Sequence, residues 1–295
     1  MKLGPDKAVC VLGLGRSGKS AVKWLRSTGA KVTAVDARDT PELQKWADQL
    51  PADFDCRLGD QVGLTDWFDL AVVSPGVPLD QPQVVGLRAR GVPVWSELEL
   101  GWSAVQCPAI AITGTNGKTT TTEWVTQMLA ETGRQVLSAG NIGRPLCEVL
   151  LQTRKLDAVV LEVSSFQLEA IESFRASVGV LLNLAEDHLD RHESMENYIR
   201  AKARLFENQK PFDWAIIQFE AWEQMQALGV NVPGKVITFS VRSQSADVYL
   251  KEDRVISRLP GAEGSVLDLA GFELEGTHNT ENLMAAWSVG RAMKL

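Results

Sequence analysis

Twice in this chain a short apolar run rich in β-branched residues ends in a glycine turn that opens a helical pattern. The first is AVCVL (8–12), followed by Gly13, Leu14, Gly15, Arg16, Ser17 and Gly18; the second is AIAIT (109–113), followed by Gly114, Thr115, Asn116, Gly117, Lys118, Thr119 and Thr120. A strand that enters a helix through a tight turn returns to its sheet by a crossover, which builds a parallel sheet covered by helices on both faces. After the first unit the rhythm continues with a helix from Gly18 to about Thr28, KVTAVD (31–36), a helix near 41–50, LAVVS (70–74) and helices near 80–90 and 96–104. After the second come strands near 135–138, DAVVLEV (157–163), VGVLLNL (178–184), WAIIQF (214–219) and KVITF (235–239).

At 295 residues the chain is about twice the usual single-domain length, so two domains are expected. The fold class read from the pattern is α/β. A Rossmann-like parallel-sheet domain covers 1–106, and a P-loop-type α/β domain covers 107–295, starting where Cys107 and Pro108 lead into the second loop-bearing strand. From Ala246 to Glu275 the pattern shifts to short alternating runs with glycine and charged turns, which suits a small antiparallel β appendage. A last helix begins near Asn279 and reaches Leu295 without a cap signal, so the chain is expected to be cut short.

A net charge of -7 gives no electrostatic footprint for nucleic acid, and any anionic ligand must be held locally. Cys10, Cys56, Cys107 and Cys147 lie too far apart for a zinc knuckle or a dense disulfide framework and read as reduced packing residues. With no apolar stretch of membrane-span length and no apolar leader after Met1 and Lys2, a cytoplasmic chain is expected. No membrane partner is foreseen, and a monomer is the expectation.

The first loop, with Asp36 at the end of the next strand, contains every part of a dinucleotide fingerprint. Read alone it says NAD, although such glycines also serve any phosphate at a helix N-terminus, or only close helix–strand packing. The second loop is a shortened GxxGKT. A lysine in the first turn of a helix opposes the helix dipole unless an anion sits between them, and a triphosphate would supply that anion. Thr119 then offers a hydroxyl to Mg²⁺.

Glu162 ends the buried run DAVVLEV, where a carboxylate reads as a magnesium ligand or as half of a structural ion pair. The polar cluster from Asn183 to His192 follows another buried run, at the strand end where open α/β sheets bind ligands. Within it His188 is the better placed as a ligand or orienter, and His192 is expected to be solvated.

The stretches GTNGKTTTTEW (114–124), GNIGRPL (140–146), LEVSSFQLE (161–169), LNLAEDHLDRH (182–192) and GTHNTENLMAA (276–286) together resemble the Mur ligases. The residues after Glu162, with Asn141-Ile142-Gly143 and Ser74-Pro75-Gly76-Val77, are similar to the D-glutamate-adding branch. That resemblance implies an ATP-dependent ligase of peptidoglycan precursor synthesis. It would join D-glutamate to UDP-N-acetylmuramoyl-L-alanine through an acyl phosphate.

By the same resemblance the first loop holds UDP and not NAD, with Arg16, Ser17, Asp36, Arg38, Ser74 and Gly76 as candidate contacts. Asn141, Ser164, Gln167 and His188 match positions on the muramoyl-alanine portion or the metals. Gly114 to Thr120, with Lys118 on the β and γ phosphates, would hold ATP, and Asn279 and Asn282 after His278 would face adenine. Thr119 and Glu162 would hold one Mg²⁺. Lys202 is expected to carry a CO₂-derived carbamate that supports a second Mg²⁺ near His188. The family also carries a third, C-terminal domain for the incoming amino acid, which this chain does not contain.

Three rival readings stand beside this one. An NAD-dependent oxidoreductase explains the first loop but leaves the second without a role. A non-catalytic UDP-sugar-binding module and another amide ligase of the superfamily, such as a folylpolyglutamate synthase, are the others.

Overall fold

The computed structural model describes residues 3–59, 64–271 and 276–295. Residues 272–275, the end of the expected appendage, lie outside the described residues, as do Met1 and Lys2. Two compact units emerge: one comprises Met1–Val105, Arg144–Leu151 and Phe166–Phe174, the other Gln106–Gly143, Gln152–Ser165 and Arg175–Leu295. No helix among the described residues is long and apolar enough to cross a membrane.

The first unit is built on β1 (Ala8–Leu12), α1 (Arg16–Ser27), β2 (Lys31–Asp36), α2 (Pro41–Ala47), β3 (Asp55–Leu58), β4 (Leu70–Val73), α3 (Pro82–Ala89), β5 (Val94–Ser96) and α4 (Glu97–Trp102). Its strands are all parallel in the order β3-β2-β1-β4-β5. The central strands β1 and β4 are buried almost throughout, which is why they read as unbroken apolar runs. The edges β3 and β5 escape the sequence pattern because DCRL is mostly polar and VWS is too short to show a period. Cys10, Leu12, Val35, Ala71, Val73 and Leu87 form the core, joined by Ala170 from the segment 166–174.

That segment is fixed to α4 by a carboxylate. Glu99 is fully buried and accepts the backbone N–H groups of Glu172 (3.0 Å), Ser173 (2.8 Å) and Phe174 (2.9 Å), as well as the Ser173 hydroxyl. Without those donors the buried carboxylate would be strongly unfavourable. Two residues earlier, Glu97 accepts the Cys147 N–H at 2.7 Å and so binds α6 (Leu146–Val149) to the same helix. Its second carboxyl oxygen has no partner, and burial pushes Glu97 up to about 7 against the opposing pull of the Cys147 donors.

The second unit contains β6 (Ala109–Thr113), α5 (Lys118–Glu131), β7 (Val136–Gly140), β8 (Ala158–Glu162), β9 (Val178–Leu181), α8 (Leu189–His192), α9 (Met195–Ala203), β10 (Trp214–Gln218), α10 (Phe219–Ala227), β11 (Lys235–Ser240), β12 (Val248–Lys251), β13 (Arg254–Ser257), β14 (Gly264–Asp268) and α11 (Thr277–Ala292), while α7 (Ser165–Leu168) starts at Ser165 and continues into the first unit's stretch 166–174. One sheet in the order β14-β13-β12-β11-β10-β9-β6-β8-β7 holds them. The expected antiparallel strands are β12 to β14, but β12 pairs in parallel with β11, so they extend the main sheet. Ile110, Ile112, Val125, Val160, Val180 and Met284 are among the side chains that fill the core between sheet, α5 and α11.

Candidate functional site

In the first unit, strand order reverses between β1 and β4, and the carboxyl ends of both strands border a cleft of about 450 Å³. Such a reversal leaves a crevice that crossover helices cannot cover. Arg16, Ser17, Asp36, Arg38, Ser74 and Gly76, the six expected uridine and diphosphate contacts, all line it. The turn is rigid by construction. Ser74 Oγ donates to the Gly13 carbonyl at 2.7 Å, and a Cβ on Gly18 would stand 1.9 Å from that same oxygen, so only glycine fits there.

Asp36 is buried beneath the turn. It accepts N–H groups from Leu14 (2.7 Å) and Arg38 (2.9 Å) and the Arg38 guanidinium at 3.2 and 3.3 Å. Burial alone would raise its carboxyl; the Arg38 side chain and the two N–H groups outweigh it and hold the group below its ordinary value. The acid that the NAD reading assigns to a ribose hydroxyl is thus engaged in fixing Leu14 and Arg38.

In the second unit the corresponding reversal lies at β6, flanked by β8 and β9. Here Gly114 to Gly117 lead into α5, with Gly117 as its left-handed N-cap at φ +85°. A Cβ on Gly117 would lie 2.3 Å from Asn282 Oδ1, which places the Asn282 side chain directly on the loop. Asn183 pins the loop from the end of β9. Its side chain accepts the Asn116 N–H at 2.8 Å and donates to the Asn116 carbonyl at 3.0 Å, while its own carbonyl accepts the Thr115 N–H at 3.0 Å.

Lys118 folds over the loop, donating to the carbonyls of Gly114 (3.0 Å) and Thr115 (2.8 Å). Burial lowers its ammonium, with Glu162 and Asp187 acting in the opposite sense. Lys202, on α9, is 2% exposed and also donates to the Gly114 carbonyl, at 2.8 Å. Its Nζ stands 4.7 Å from the centre of the Tyr198 ring. Burial, then the Lys118 charge, push Lys202 down to about 7, with Asp187 opposing. Although it lies on a helix whose last turn is basic, Lys202 is not a solvated surface lysine.

Glu162 closes the group from β8. It is 2% exposed, accepts Thr119 Oγ1 at 2.8 Å and Asn141 Nδ2 at 3.0 Å, and its carbonyl accepts the Asn141 N–H at 2.8 Å. A carboxylate beside a hydroxyl is a hard-oxygen set that fits Mg²⁺, which takes few protein ligands and completes its shell with phosphates and water. No group of three or more His, Cys, Asp or Glu that could hold a metal ion occurs among the described residues.

One of the two histidines departs from expectation. His188 has a side chain 49% exposed, 3.4 Å from Asp187, at a left-handed φ of 52°. His192, expected to be solvated, is buried, with Nε2 3.0 Å from Ser165 Oγ. Sequence spacing could not reveal this, because the left-handed residues His188 and Glu193 bracket α8 and turn its last side chain inward. Ser164 is half-buried in the second unit, whereas the buried Gln167 belongs to the first. Asn279 is half-buried and His278 exposed at the start of α11. From sequence, Asn183 reads only as the start of a polar cluster, without this loop-pinning role, and Tyr198 has no assigned role. The first has a readable signal as the first polar residue after a buried parallel strand; the second, an aromatic on an amphipathic helix, reads as core.

A glycine-cradled helix N-terminus with a lysine in its first turn and a buried carboxylate one strand away defines a phosphate-loop α/β protein. The model of the Mur ligase middle domain matches residues 112–290, and that of the Mur ligase MurD-like N-terminal domain matches 7–96. The chain belongs to the Mur ligase family. It is 41% identical over 286 residues to the UDP-N-acetylmuramoylalanine--D-glutamate ligase of Geotalea daltonii, covering 95% of this chain and 62% of that protein. It is 39% identical over 293 residues to the protein of the same name from Koribacter versatilis, covering 97% and 64%.

The chain therefore spans a little under two thirds of the length of these curated relatives. Among solved structures, the UDP-N-acetylmuramate:L-alanyl-gamma-D-glutamyl-meso-diaminopimelate ligase from Neisseria meningitides aligns with a TM-score of 0.60 at 15% identity, over 98% of this chain and 94% of that one. The UDP-N-acetylmuramate-alanine ligase from Thermotoga maritima aligns with a TM-score of 0.55 at 21% identity, over 98% and 66%. Both share the α/β fold. Neither the oxidoreductase nor the binding-module reading finds support among these relatives.

Proposed function

We propose that this chain supplies the UDP-substrate and ATP sites of a cytoplasmic ligase that joins D-glutamate to UDP-N-acetylmuramoyl-L-alanine. The observation that carries the reading is the meeting of Lys118 and Lys202 at one carbonyl oxygen, that of Gly114. Two ammonium groups on one acceptor, that of Lys202 buried and that of Lys118 half-buried, repel each other, and the arrangement is relieved when an anion enters or one amine loses its charge. A triphosphate on the loop does the first, drawing Lys118 off the loop carbonyls onto the β and γ phosphates.

Carbamylation of Lys202 does the second. CO₂ adds to the neutral amine, a proton leaves, and a cation becomes an anionic oxygen ligand. An amine pushed down to about 7 is uncharged often enough near neutral pH for that addition.

Glu162 and Thr119 would hold Mg²⁺, which neutralises phosphate charge, and the carbamate on Lys202 with His188 would support a second ion. Transfer of the γ-phosphoryl group to the alanyl carboxylate gives an acyl phosphate. The D-glutamate amine attacks its carbonyl carbon, and phosphate leaves with the C–O bonding pair. In this scheme Lys118 offsets charge on the transferred group, and the six cleft residues hold the UDP end, so catalysis is mainly positioning and charge neutralisation. Asn279 and Asn282 are assigned to the adenine side. The amino acid would be held by residues beyond this chain.

The test is phosphate release with ATP, UDP-N-acetylmuramoyl-L-alanine and D-glutamate, run on this chain and on a version extended beyond Leu295. D-glutamate-dependent release by the extended version is expected. Release driven equally by L-alanine or a dipeptide, or none, overturns the assignment.

A further inference from the structure

His192 is a buried imidazole to which the reaction scheme gives no task. Three elements meet at its ring and backbone. Nε2 lies 3.0 Å from the hydroxyl of Ser165, the first residue of α7 and the neighbour of Ser164. The ring lies 5.2 Å, centre to centre, from that of Tyr198, tilted by 58°. Its carbonyl accepts Asn197 Nδ2 at 2.9 Å, which ties α8 to the first turn of α9.

Tyr198 in turn reaches the phosphate loop, its hydroxyl 3.0 Å from Thr115 Oγ1, and its ring lies under Lys202. A continuous path of contacts therefore runs from the Ser164–Ser165 turn through His192 and Tyr198 to Thr115.

A buried ring nitrogen and a buried hydroxyl each strongly favour a partner, and here each provides one for the other. Ser165 is 2% exposed and His192 5%, so water cannot readily replace either. Burial first, then the charges of Arg191, Lys202 and His188, push the imidazole down to about 4, so it is neutral at physiological pH. A neutral ring has one donor and one acceptor nitrogen, which suits a directional bond to a hydroxyl.

We propose that His192 is a positioning residue, whose bond to Ser165 and packing on Tyr198 hold the Ser164–Ser165 turn in the geometry that receives the nucleotide-sugar substrate. It touches neither substrate nor phosphate. This rests on the ligase reading under Proposed function, together with the match of Ser164 to a muramoyl-alanine position that the family resemblance implies.

Three variants of the chain separate positioning from mere stability: His192→Phe keeps the ring and loses the bond, Ser165→Ala removes the other partner, and His192→Gln can return an amide to the Nε2 position. Affinities for UDP-N-acetylmuramoyl-L-alanine and for ATP with Mg²⁺ are read by calorimetry.

The expected result is that His192→Phe and Ser165→Ala each weaken the nucleotide sugar about tenfold, leave ATP within about twofold, and combine without further loss, because they break one bond. His192→Gln should recover most of the affinity. Equal weakening of both ligands, or additive effects in the double variant, overturns the positioning role. A wild-type chain that binds ATP but no nucleotide sugar overturns the substrate assignment itself, and this inference with it.

Discussion

Thr119 Oγ1 donates to Glu162 Oε2 at 2.8 Å, joining the first turn of α5 to the end of β8 through the two atoms assigned to Mg²⁺. The pair is preorganised: both oxygens already face each other before a cation arrives. Glu162→Gln keeps the shape and the Thr119 contact but removes the charge. It should weaken Mg²⁺-dependent ATP binding by at least about tenfold and leave metal-free nucleotide binding nearly unchanged. Titration of ATP with and without Mg²⁺ checks it, and an unchanged magnesium effect would remove Glu162 from the metal site.

Lys118→Ala should weaken ATP by about 10- to 100-fold, the scale of a lost hydrogen bond to a charged group. Thermal unfolding should barely move, because among the described residues the side chain bonds only to the carbonyls of its own loop, Gly114 and Thr115. Calorimetry alongside a melting curve separates the two effects.

For Lys202, substitution by Ala in the extended enzyme should abolish most turnover at saturating ATP and Mg²⁺, with partial recovery when a short-chain carboxylic acid occupies the vacated space. Incubation with ¹³C-labelled bicarbonate should give a carbamate carbon signal in the wild type and none in the variant. Wild-type turnover by Lys202→Ala would end the carbamate assignment.

Asp36→Ala removes the acceptor that fixes Leu14 N–H and the Arg38 guanidinium under the first glycine turn. UDP-substrate binding should fall about tenfold and ATP binding should hold, since a bond to a buried charge contributes about 1.5–3 kcal/mol. Equal loss of both affinities would show that the two loops do not divide the ligands between them.

Glu97 gives a pH dependence. Its folded carboxyl, at about 7, stands above the ordinary value of 4.5, so between those values the folded state binds more protons than the unfolded one. Its contribution is fully present below about pH 4.5 and is lost as pH rises through 7. Glu97→Gln cannot ionise, and its stability relative to the wild type should therefore increase from pH 5 to pH 8 in denaturant titrations. A constant difference across that range would show that Glu97 does not titrate there.

Much of the fold was legible because buried parallel strands write themselves as apolar runs. AVCVL, AIAIT and WAIIQ coincide with β1, β6 and β10, and both glycine loops stand at strand–helix junctions. The second loop announced its chemistry through Lys118 and Thr119, whose type and order carry the signal. Other features depended on the backbone and on contacts distant in sequence. Left-handed conformations at His188 and Glu193 decide which histidine is inside. The burial of Lys202 follows from a carbonyl 88 residues away. No local pattern marks the edge strands DCRL and VWS, or the attachment of 144–151 and 166–174 to α4.

That attachment makes the first unit discontinuous along the chain. Residues 1–105 hold its sheet, yet the donors for Glu99 come from 172–174 and the donor for Glu97 from 147. A gene fragment ending at residue 105 would encode a sheet with two buried carboxylates stripped of their partners, and a single proteolytic cut near there would release no self-sufficient piece. Replacing the first unit by that of a relative therefore means transplanting three stretches together.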